Sequence, residues 1–405
     1  MRILVLNQYF HPDVASTSRL LTELCEDLAR HHEVTVVCGR PSYDPVEHRP
    51  PRGLVSEDRH EDVRVLRTWS TRFGRGSMAG RLANYSTYLA SSLLGAALAS
   101  KPDVVLTMTD PPVVAAAAAS VAWARRVPYV YVVQDLFPQV GVALGRIKNR
   151  TVVRSLERLN RSLRSRAGAV VAIGRDMAQA LRGLGVPEDR LRIISNWADA
   201  DAIQPSTAPS ALRRRLGLED AFVVMHSGNV GLSQELDTLL EAARAMSDEA
   251  DIHFLIAGNG AAKPALVRRA REWRLANVSF VDYQPQAQLS ESLGTADLHA
   301  IGLRRGLGGL IVPSKVYGIM AAGRPFVAAV ERSSEVALVA EEAGCGIRVE
   351  PGDPDALASA ILELKQDGAR RDDMGRRGRE ELERRYERSI ASGRYRDLLE
   401  RIAGA

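Results

Sequence analysis

IVPSKVYGIMAAGRPFVAAV, Ile311 to Val330, reads as a short helix of small residues between a proline-led entry and an apolar strand. Pro313 and Ser314 suit the first turn, where a missing N–H costs nothing and a hydroxyl can cap. Gly323-Arg324-Pro325 ends the helix, and PFVAAV follows as a strand. A helix beginning at Ser314 and Lys315 offers unpaired backbone N–H groups, a hydroxyl and an ammonium to an anion. Phosphate is the natural guest. The same punctuation also serves a purely structural helix of a doubly wound α/β domain, so the rest of the chain has to decide.

Working outward, this strand–helix alternation covers the chain. In the first half ILVLN (Ile3 to Asn7), VTVVCG (Val34 to Gly39), VRVLRT (Val63 to Thr68), DVVLTM (Asp103 to Met108), YVYVVQD (Tyr129 to Asp135), AVVAIG (Ala169 to Gly174) and RIISN (Arg192 to Asn196) alternate with amphipathic segments. After a polar stretch around Pro205 to Pro209 the pattern restarts with FVVMHSG (Phe222 to Gly228), IHFLIAG (Ile252 to Gly258), VSFVD (Val278 to Asp282), ADLHAIGL (Ala296 to Leu303), PFVAAV and GIRVE (Gly346 to Glu350). Apolar runs of this length with helices between them predict parallel sheets covered on both faces. The fold class is therefore α/β, two doubly wound Rossmann-like domains facing a cleft. The boundaries expected are 1–200, 201–385, and a C-terminal helix over 386–405. In that tail Leu382, Tyr386, Ile390, Tyr395, Leu398, Leu399 and Ile402 are candidate buried positions.

At 405 residues the chain exceeds the size at which a single core stops growing. The three cysteines, Cys25, Cys38 and Cys345, have no metal-ligand spacing and sit in or beside apolar runs, which argues against a zinc site or a disulfide framework and for a reducing compartment. No secretory signal and no membrane-spanning stretch is read, so a cytoplasmic location is expected. The formal charge of +5 suggests anionic partners, but aromatics are only 5% of residues and do not interleave with the basic ones. Nucleic-acid binding is excluded on that ground.

Three strand ends of the second half carry glycines: His226-Ser227-Gly228-Asn229, Ala257-Gly258-Asn259-Gly260, and Gly302 with Gly306, Gly308 and Gly309. Each admits a close approach by backbone or ligand. Tight turns alone would account for any one of them; all three converging with Ser314 and Lys315 on one rim suits a phosphate-bearing ligand.

GNVG (Gly228 to Gly231), IAGNG (Ile256 to Gly260), VSFVDYQP (Val278 to Pro285), ADLHAIGL and VPSKVYGIMAAGRP resemble retaining glycosyltransferases of family 4, which have the GT-B fold. YFHP near the start, VQDLFP (Val133 to Pro138) and ISNWAD (Ile194 to Asp199) extend the resemblance over essentially the entire chain. It is closest to the branch that builds capsule, O-antigen and exopolysaccharide repeat units. The resemblance implies sugar transfer from a nucleotide diphosphate sugar held by the second domain to an acceptor held by the first, with the last helix crossing back onto the first domain. It also implies no cofactor and no bound metal, so that protein cations must stabilise the leaving diphosphate. Gly228, Asn229, Gly258, Asn259, Asp282, Tyr283, Ser314 and Lys315 become the donor-binding candidates.

Two departures bear on this. The family's two glutamates, with seven residues between them just before the Ala-Met-Ala helix, fall on Leu310 and Gly318 here. The family's diphosphate-clamping arginine and lysine fall on Asn229 and Gln234. The cationic role is therefore assigned to Lys315, assisted by Ser314 and backbone N–H groups, with Arg304 and Arg305 as further candidates whose equal alternative is a solubilising place on the rim.

In the first domain Asp135 and His11 are the catalytic candidates; capping and loop packing are their structural alternatives. No residue stands out as a nucleophile, which favours departure and attack on one face of the sugar. Arg72, Arg75 and Arg81 lead into Leu82, Tyr85, Tyr88, Leu89, Leu93 and Leu94, the composition of an interfacial helix, with packing on its own domain as the alternative. A lipid-linked acceptor and peripheral contact with an anionic membrane at the inner face would give the segment a purpose. The function expected is transfer of a hexose or N-acetylhexosamine, UDP-linked, to a polyprenyl-diphosphate-linked saccharide. The rivals are transfer to a soluble small-molecule acceptor in specialised metabolism, a nucleotide-sugar 2-epimerase, and a catalytically silent nucleotide-sugar binding protein.

Overall fold

In a computed structural model that describes residues 1–13, 15–41, 53–73, 78–206 and 210–404, the apolar runs assemble into two sheets, one in each half of the chain. Among the described residues the first sheet has eight strands: β1 (Arg2–Leu6), β2 (Glu33–Gly39), β3 (Val55–His60), β4 (Val63–Thr68), β5 (Val104–Thr107), β6 (Tyr129–Val133), β7 (Ala169–Ala172) and β8 (Leu191–Ile193). Their order is β3-β4-β2-β1-β5-β6-β7-β8. All neighbours are parallel except β3 and β4. Val5 of β1 lies opposite Val36 on one side and Leu106 on the other, all three without exposed surface. That two-sided burial is why these strands are continuous apolar runs.

The apolar-run criterion does not find β3, whose VSEDRH is mostly polar. It is an antiparallel edge strand, and its Glu57 and Asp58 pair with Arg64 and Arg67 of β4. Opposite charges across a strand pair favour the pairing, and a charged edge discourages further strand addition.

The segment around Tyr88 forms the helix Met78–Leu98. Tyr88 is wholly buried and its hydroxyl donates to the Val37 carbonyl at 3.2 Å. Gly95 lets the helix lie close: a Cβ there would stand 2.8 Å from Thr68 and 2.9 Å from Val37. The proposed interfacial face is thus divided. Tyr88 belongs to the core, because helical spacing puts it on the sheet side with Ser91, Ser92 and Gly95. Leu82, Leu93, Leu94 and Leu98 remain exposed. Arg75 and the side chain of Arg81 lie outside the described residues.

The second sheet holds β9 (Phe222–Ser227), β10 (Ile252–Ala257), β11 (Val278–Val281), β12 (Leu298–Gly302), β13 (Phe326–Ala329) and β14 (Gly346–Val349). All pairs are parallel, in the order β11-β10-β9-β12-β13-β14. This is the dinucleotide-fold order, in which the chain starts at the centre, builds outward one way and then the other. One face is covered by the helices Leu236–Ala245 and Pro354–Gln366 around Leu239, Leu240, Ile361 and Leu364. The other is covered by Lys315–Ala321 and Glu335–Ala343 around Tyr317, Met320, Val336 and Val339.

The chain divides into two compact units, one of residues 1–139, 147–195 and 389–405 and the other of residues 140–146 and 196–388. The tail positions split accordingly. Leu382 and Tyr386 are buried in the second unit, the Tyr386 ring 5.0 Å from that of Tyr317. Tyr395, Leu398 and Leu399 are buried in the helix Arg388–Ala403, while Ile390 and Ile402 are only partly covered. Ile402 packs beside Gly168 of the first unit.

Candidate functional site

In the second sheet the strand order reverses between β9 and β12, so a crevice opens between their carboxyl ends. The loop leaving β9 starts at Gly228, whose φ of +121° only glycine adopts without strain. Beside it lies Lys315, its Cε 3.7 Å from where a Gly228 Cβ would be. The Lys315 Nζ stands 3.0 Å from Nε2 and 3.3 Å from Nδ1 of His226, a wholly buried residue of β9. Burial pushes the half-buried Lys315 amine down to about 7. Burial, and then the charge of Lys315, hold the His226 imidazole well below its ordinary value; hydrogen bonds to the backbone of Asn229 and Ala300 pull the other way.

Ser314 precedes the seven-residue helix Lys315–Ala321 in αR conformation, and its hydroxyl makes no cap hydrogen bond. The reading of Ser314 as a side-chain cap is corrected here: a cap residue needs extended backbone for its oxygen to reach back to the N2 or N3 amide. Leu310 and Gly318 occupy apolar surroundings. Leu310 packs against the core, and a Cβ at Gly318 would meet Leu293 Cδ1 at 3.4 Å.

The second glycine cluster is filled by protein. A Cβ at Gly258 would stand 1.8 Å from the Gly228 carbonyl oxygen, and one at Gly260 2.3 Å from that of Val230. The Gly228 and Val230 amides in turn donate to Ala257 and Asn259 carbonyls at 2.9 and 3.0 Å. These glycines let two strand-end loops interlock. Asn229 and Asn259 are exposed on the resulting rim. Exposed Tyr283 donates its hydroxyl to the Asn259 carbonyl at 3.2 Å.

Asp282 is exposed and paired with Lys263, a residue the sequence reading does not single out. Lys263 Nζ lies 2.7 Å from Asp282, 2.7 Å from the Gly258 carbonyl and 2.9 Å from that of Val281. It ties the ends of β10 and β11 together; its place just after AGNG at a helix start is the signal that could have found it. Gln234, where the family has a lysine, is buried, and its Oε1 has no hydrogen-bond partner among the described residues. Gly302 admits the Gln234 carbonyl, 2.2 Å from a Cβ position. Arg305 reaches Glu350 at 3.5 Å and the Pro351 carbonyl at 3.2 Å, and Arg304 is exposed.

In the first unit Asp135 follows β6 and Asp110 follows β5, on adjacent strands. Thr109 Oγ1 accepts from the Gln134 and Asp135 amides at 3.1 and 3.3 Å, and Asp110 accepts from the Thr17 hydroxyl. The Asp135 side chain has solvent-accessible surface, so its desolvation is partial; the crowding of protein atoms around it and then the Asp110 carboxylate still raise its carboxyl, to about 7. Asp110, which the sequence reading leaves aside, is raised by burial as well. His11 has a different set of partners. Its ring stacks on His60 at 4.0 Å, its amide donates to Thr22 and its carbonyl accepts from Arg67. Burial, His60 and Arg67 lower its imidazole.

Among the described residues no group of three or more His, Cys, Asp or Glu side chains is placed to hold a metal ion, and no helix is long and apolar enough to cross a membrane.

Two Rossmann-like units with glycine-rich strand ends define the GT-B architecture of glycosyltransferases. Residues 17–197 match the glycosyl transferase 4-like domain and residues 221–367 the glycosyl transferases group 1. The chain belongs to the family 4 glycosyltransferases. It is 32% identical over 269 residues to WbjE of Pseudomonas aeruginosa, described as a glycosyltransferase, covering 66% of this chain and 67% of WbjE. It is 28% identical over 376 residues to Escherichia coli WcaI, described as a colanic acid biosynthesis glycosyl transferase, covering 89% of this chain and 91% of WcaI. In fold it is similar to Anabaena HepE in complex with UDP and glucose, with a TM-score of 0.76 at 18% identity, covering 98% and 99% of the two chains.

Proposed function

We propose that this glycosyltransferase moves a hexose or N-acetylhexosamine from a UDP-sugar, with retention and without a metal ion, to a polyprenyl-diphosphate-linked saccharide during cell-surface polysaccharide synthesis. The observation that carries the reading is the meeting of Gly228 and Lys315 at the β9/β12 switch point, with Ser314 beside them. A primary amine against a glycine backbone suits a diphosphate, and the leaving group of such a transfer is a nucleoside diphosphate. Asn229, Asn259 and Gln234 supply neutral donors around it. Tyr283 offers an exposed ring to a nucleobase; Gly258 and Asp282 act by holding the loops. UDP as donor nucleotide is supported by its presence in the similarly folded HepE, and the polysaccharide role by WcaI.

The acceptor binds the first unit, where Asp135 orients or deprotonates the attacking hydroxyl and His11 shapes the loop after β1. Sugar departure and attack occur on one face, the developing charge being met by Lys315. Trp69, Phe73 and Leu82 are exposed together with Arg72 near the start of the helix Met78–Leu98. Thr71 and Phe73 bond to Asn84 and Thr87 of that helix, which holds the segment in place. An exposed apolar group with a cationic neighbour suits the inner face of an anionic membrane carrying a lipid-linked acceptor. We further assign residues 1–200 to acceptor binding, 201–385 to donor binding, and 386–405 to the returning helix.

The test is incubation with radiolabelled UDP-sugars and GDP-mannose, each with and without a bacterial lipid extract, in EDTA. Labelled product in the organic phase from a UDP-sugar alone supports the reading. Product only in water favours a soluble acceptor, and loss of activity in EDTA refutes metal independence.

A further inference from the structure

Lys315 is a primary amine in contact with an imidazole. Its Nζ reaches both ring nitrogens of His226, at 3.0 and 3.3 Å. Two cations cannot coexist at that separation, so the pair carries at most one charge. Among the described residues no carboxylate pairs with Lys315. The groups that face it come from β9 and β12: His226 in contact, and His299 farther off, itself backed by Arg324. Burial lowers the His299 imidazole to about 4, and its Nε2 lies 3.0 Å from the Leu293 carbonyl. Both imidazoles are therefore neutral above pH 7, and Lys315 is the one group of this set that titrates there.

We propose that Lys315, seated against the neutral His226 ring, gives up its proton in the empty site as pH rises above neutral and takes one up when a nucleoside diphosphate binds. The inference rests on the donor-site reading above and adds the protonation state to it. The balance is simple. One proton leaves solvent or buffer and forms an N–H bond with the Lys315 lone pair, and the resulting ammonium faces the phosphate oxygens. No other bond changes. The arrangement avoids burying an unpaired ammonium while the site is empty, and it produces the cation only when an anion is there to hold it. The linkage has a fixed sign: the ligand favours the protonated form, so affinity is full below the free amine's value and is lost as pH rises above it.

Calorimetric titration of the native protein with UDP, in Tris and in Hepes, tests this. At pH 8 the terminal phosphate of UDP is already ionised, so it contributes little to the proton balance. Net uptake of about 0.5 proton per UDP is expected at pH 7, rising toward about 1 at pH 8, with Kd weakening by nearly tenfold per pH unit above that. Lys315→Arg keeps its charge when empty; it should bind UDP with no uptake and a flat Kd between pH 7 and 9. Lys315→Met, unable to hold a proton, serves as the same control if the arginine variant fails to fold by circular dichroism. UDP binding by the native protein with no uptake, or with uptake unchanged in both variants, would overturn the proposal and leave the donor site standing. No UDP or GDP binding at any pH would remove the donor-site reading and the proposal together.

Discussion

The carbonyl oxygen of Gly228 fills the space a side chain at Gly258 would need, 1.8 Å from an ideal Cβ. The contact joins the loops after β9 and β10, and Gly258 has a φ of +140°, so neither backbone can yield without the other. Gly258→Ala should cost about 2–3 kcal/mol from backbone strain and overpacking. That corresponds to a fall in Tm of about 5–10 °C for a unit of this size. UDP affinity should drop at least about tenfold with it, since the Gly228 loop must move to make room. A variant with native Tm and native affinity would show that the interlock does not shape the site.

Lys263 and Asp282 should respond unequally although they form one ion pair. Lys263 also binds the carbonyls of Gly258 and Val281, and those bonds survive loss of the exposed carboxylate. Asp282→Asn should change stability by less than about 1 kcal/mol, the usual size for an exposed pair. Lys263→Met takes the ammonium from the Gly258 carbonyl, while the Val281 carbonyl keeps the Gly258 amide at 3.0 Å, and should cost about 1–2 kcal/mol. Urea denaturation of both variants checks this; equal losses would mean the ion pair, not the carbonyl bonds, is what Lys263 contributes.

Gly318 tests what became of the family's second glutamate position. It lies inside the helix Lys315–Ala321, and its φ is not among the positive ones. The nearest obstacle is the end of the Leu293 side chain at 3.4 Å. Gly318→Ala should therefore stabilise by about 0.5–1 kcal/mol through helix propensity. UDP affinity should be unchanged, because Leu293 and not the ligand takes up the contact. A drop in affinity with a raised Tm would place the nucleotide against this turn.

These sites show how far the sequence could be read. The two parallel sheets follow from apolar runs such as ILVLN and IHFLIAG, because burial on both faces leaves a mark on every residue of a strand. β3 leaves no such mark, since an edge strand of Glu57, Asp58 and Arg59 is stabilised by cross-strand charge. Glycines announced their positions but not their purpose: Gly258 and Gly260 admit neighbouring backbone, which only the folded loops reveal. Asn229 and Asn259 were legible as rim residues because they follow strand-ending glycines. The Lys315–His226 contact joins residues 89 apart in sequence through the pairing of distant elements, and no local pattern encodes it. Asp110 beside Asp135 is similarly a product of β5 and β6 being neighbours.

Asp135 offers the sharpest test, because its activity and stability should move in opposite directions. Its carboxyl is raised to about 7, by the crowding of protein atoms and then by Asp110. If the carboxylate orients or deprotonates the acceptor hydroxyl, kcat should rise with pH through about 7 as the charged form appears. In Asp135→Asn that limb should vanish and kcat fall about 10²–10⁴-fold, with UDP affinity within about twofold of native. Stability has the reverse sign. A carboxyl raised above its unfolded value near 4 keeps its proton in the folded state longer, so its contribution is fully present below that value and is lost as pH climbs to about 7. Removing the charge should therefore make Asp135→Asn more stable than the native protein at pH 8, by a margin that solvent access to the side chain keeps small. At pH 4 the two proteins should melt together. Thermal denaturation at pH 4, 6 and 8 beside the rate profile reads both signs, and a variant that loses stability at pH 8 while keeping its turnover would reduce Asp135 to a structural cap.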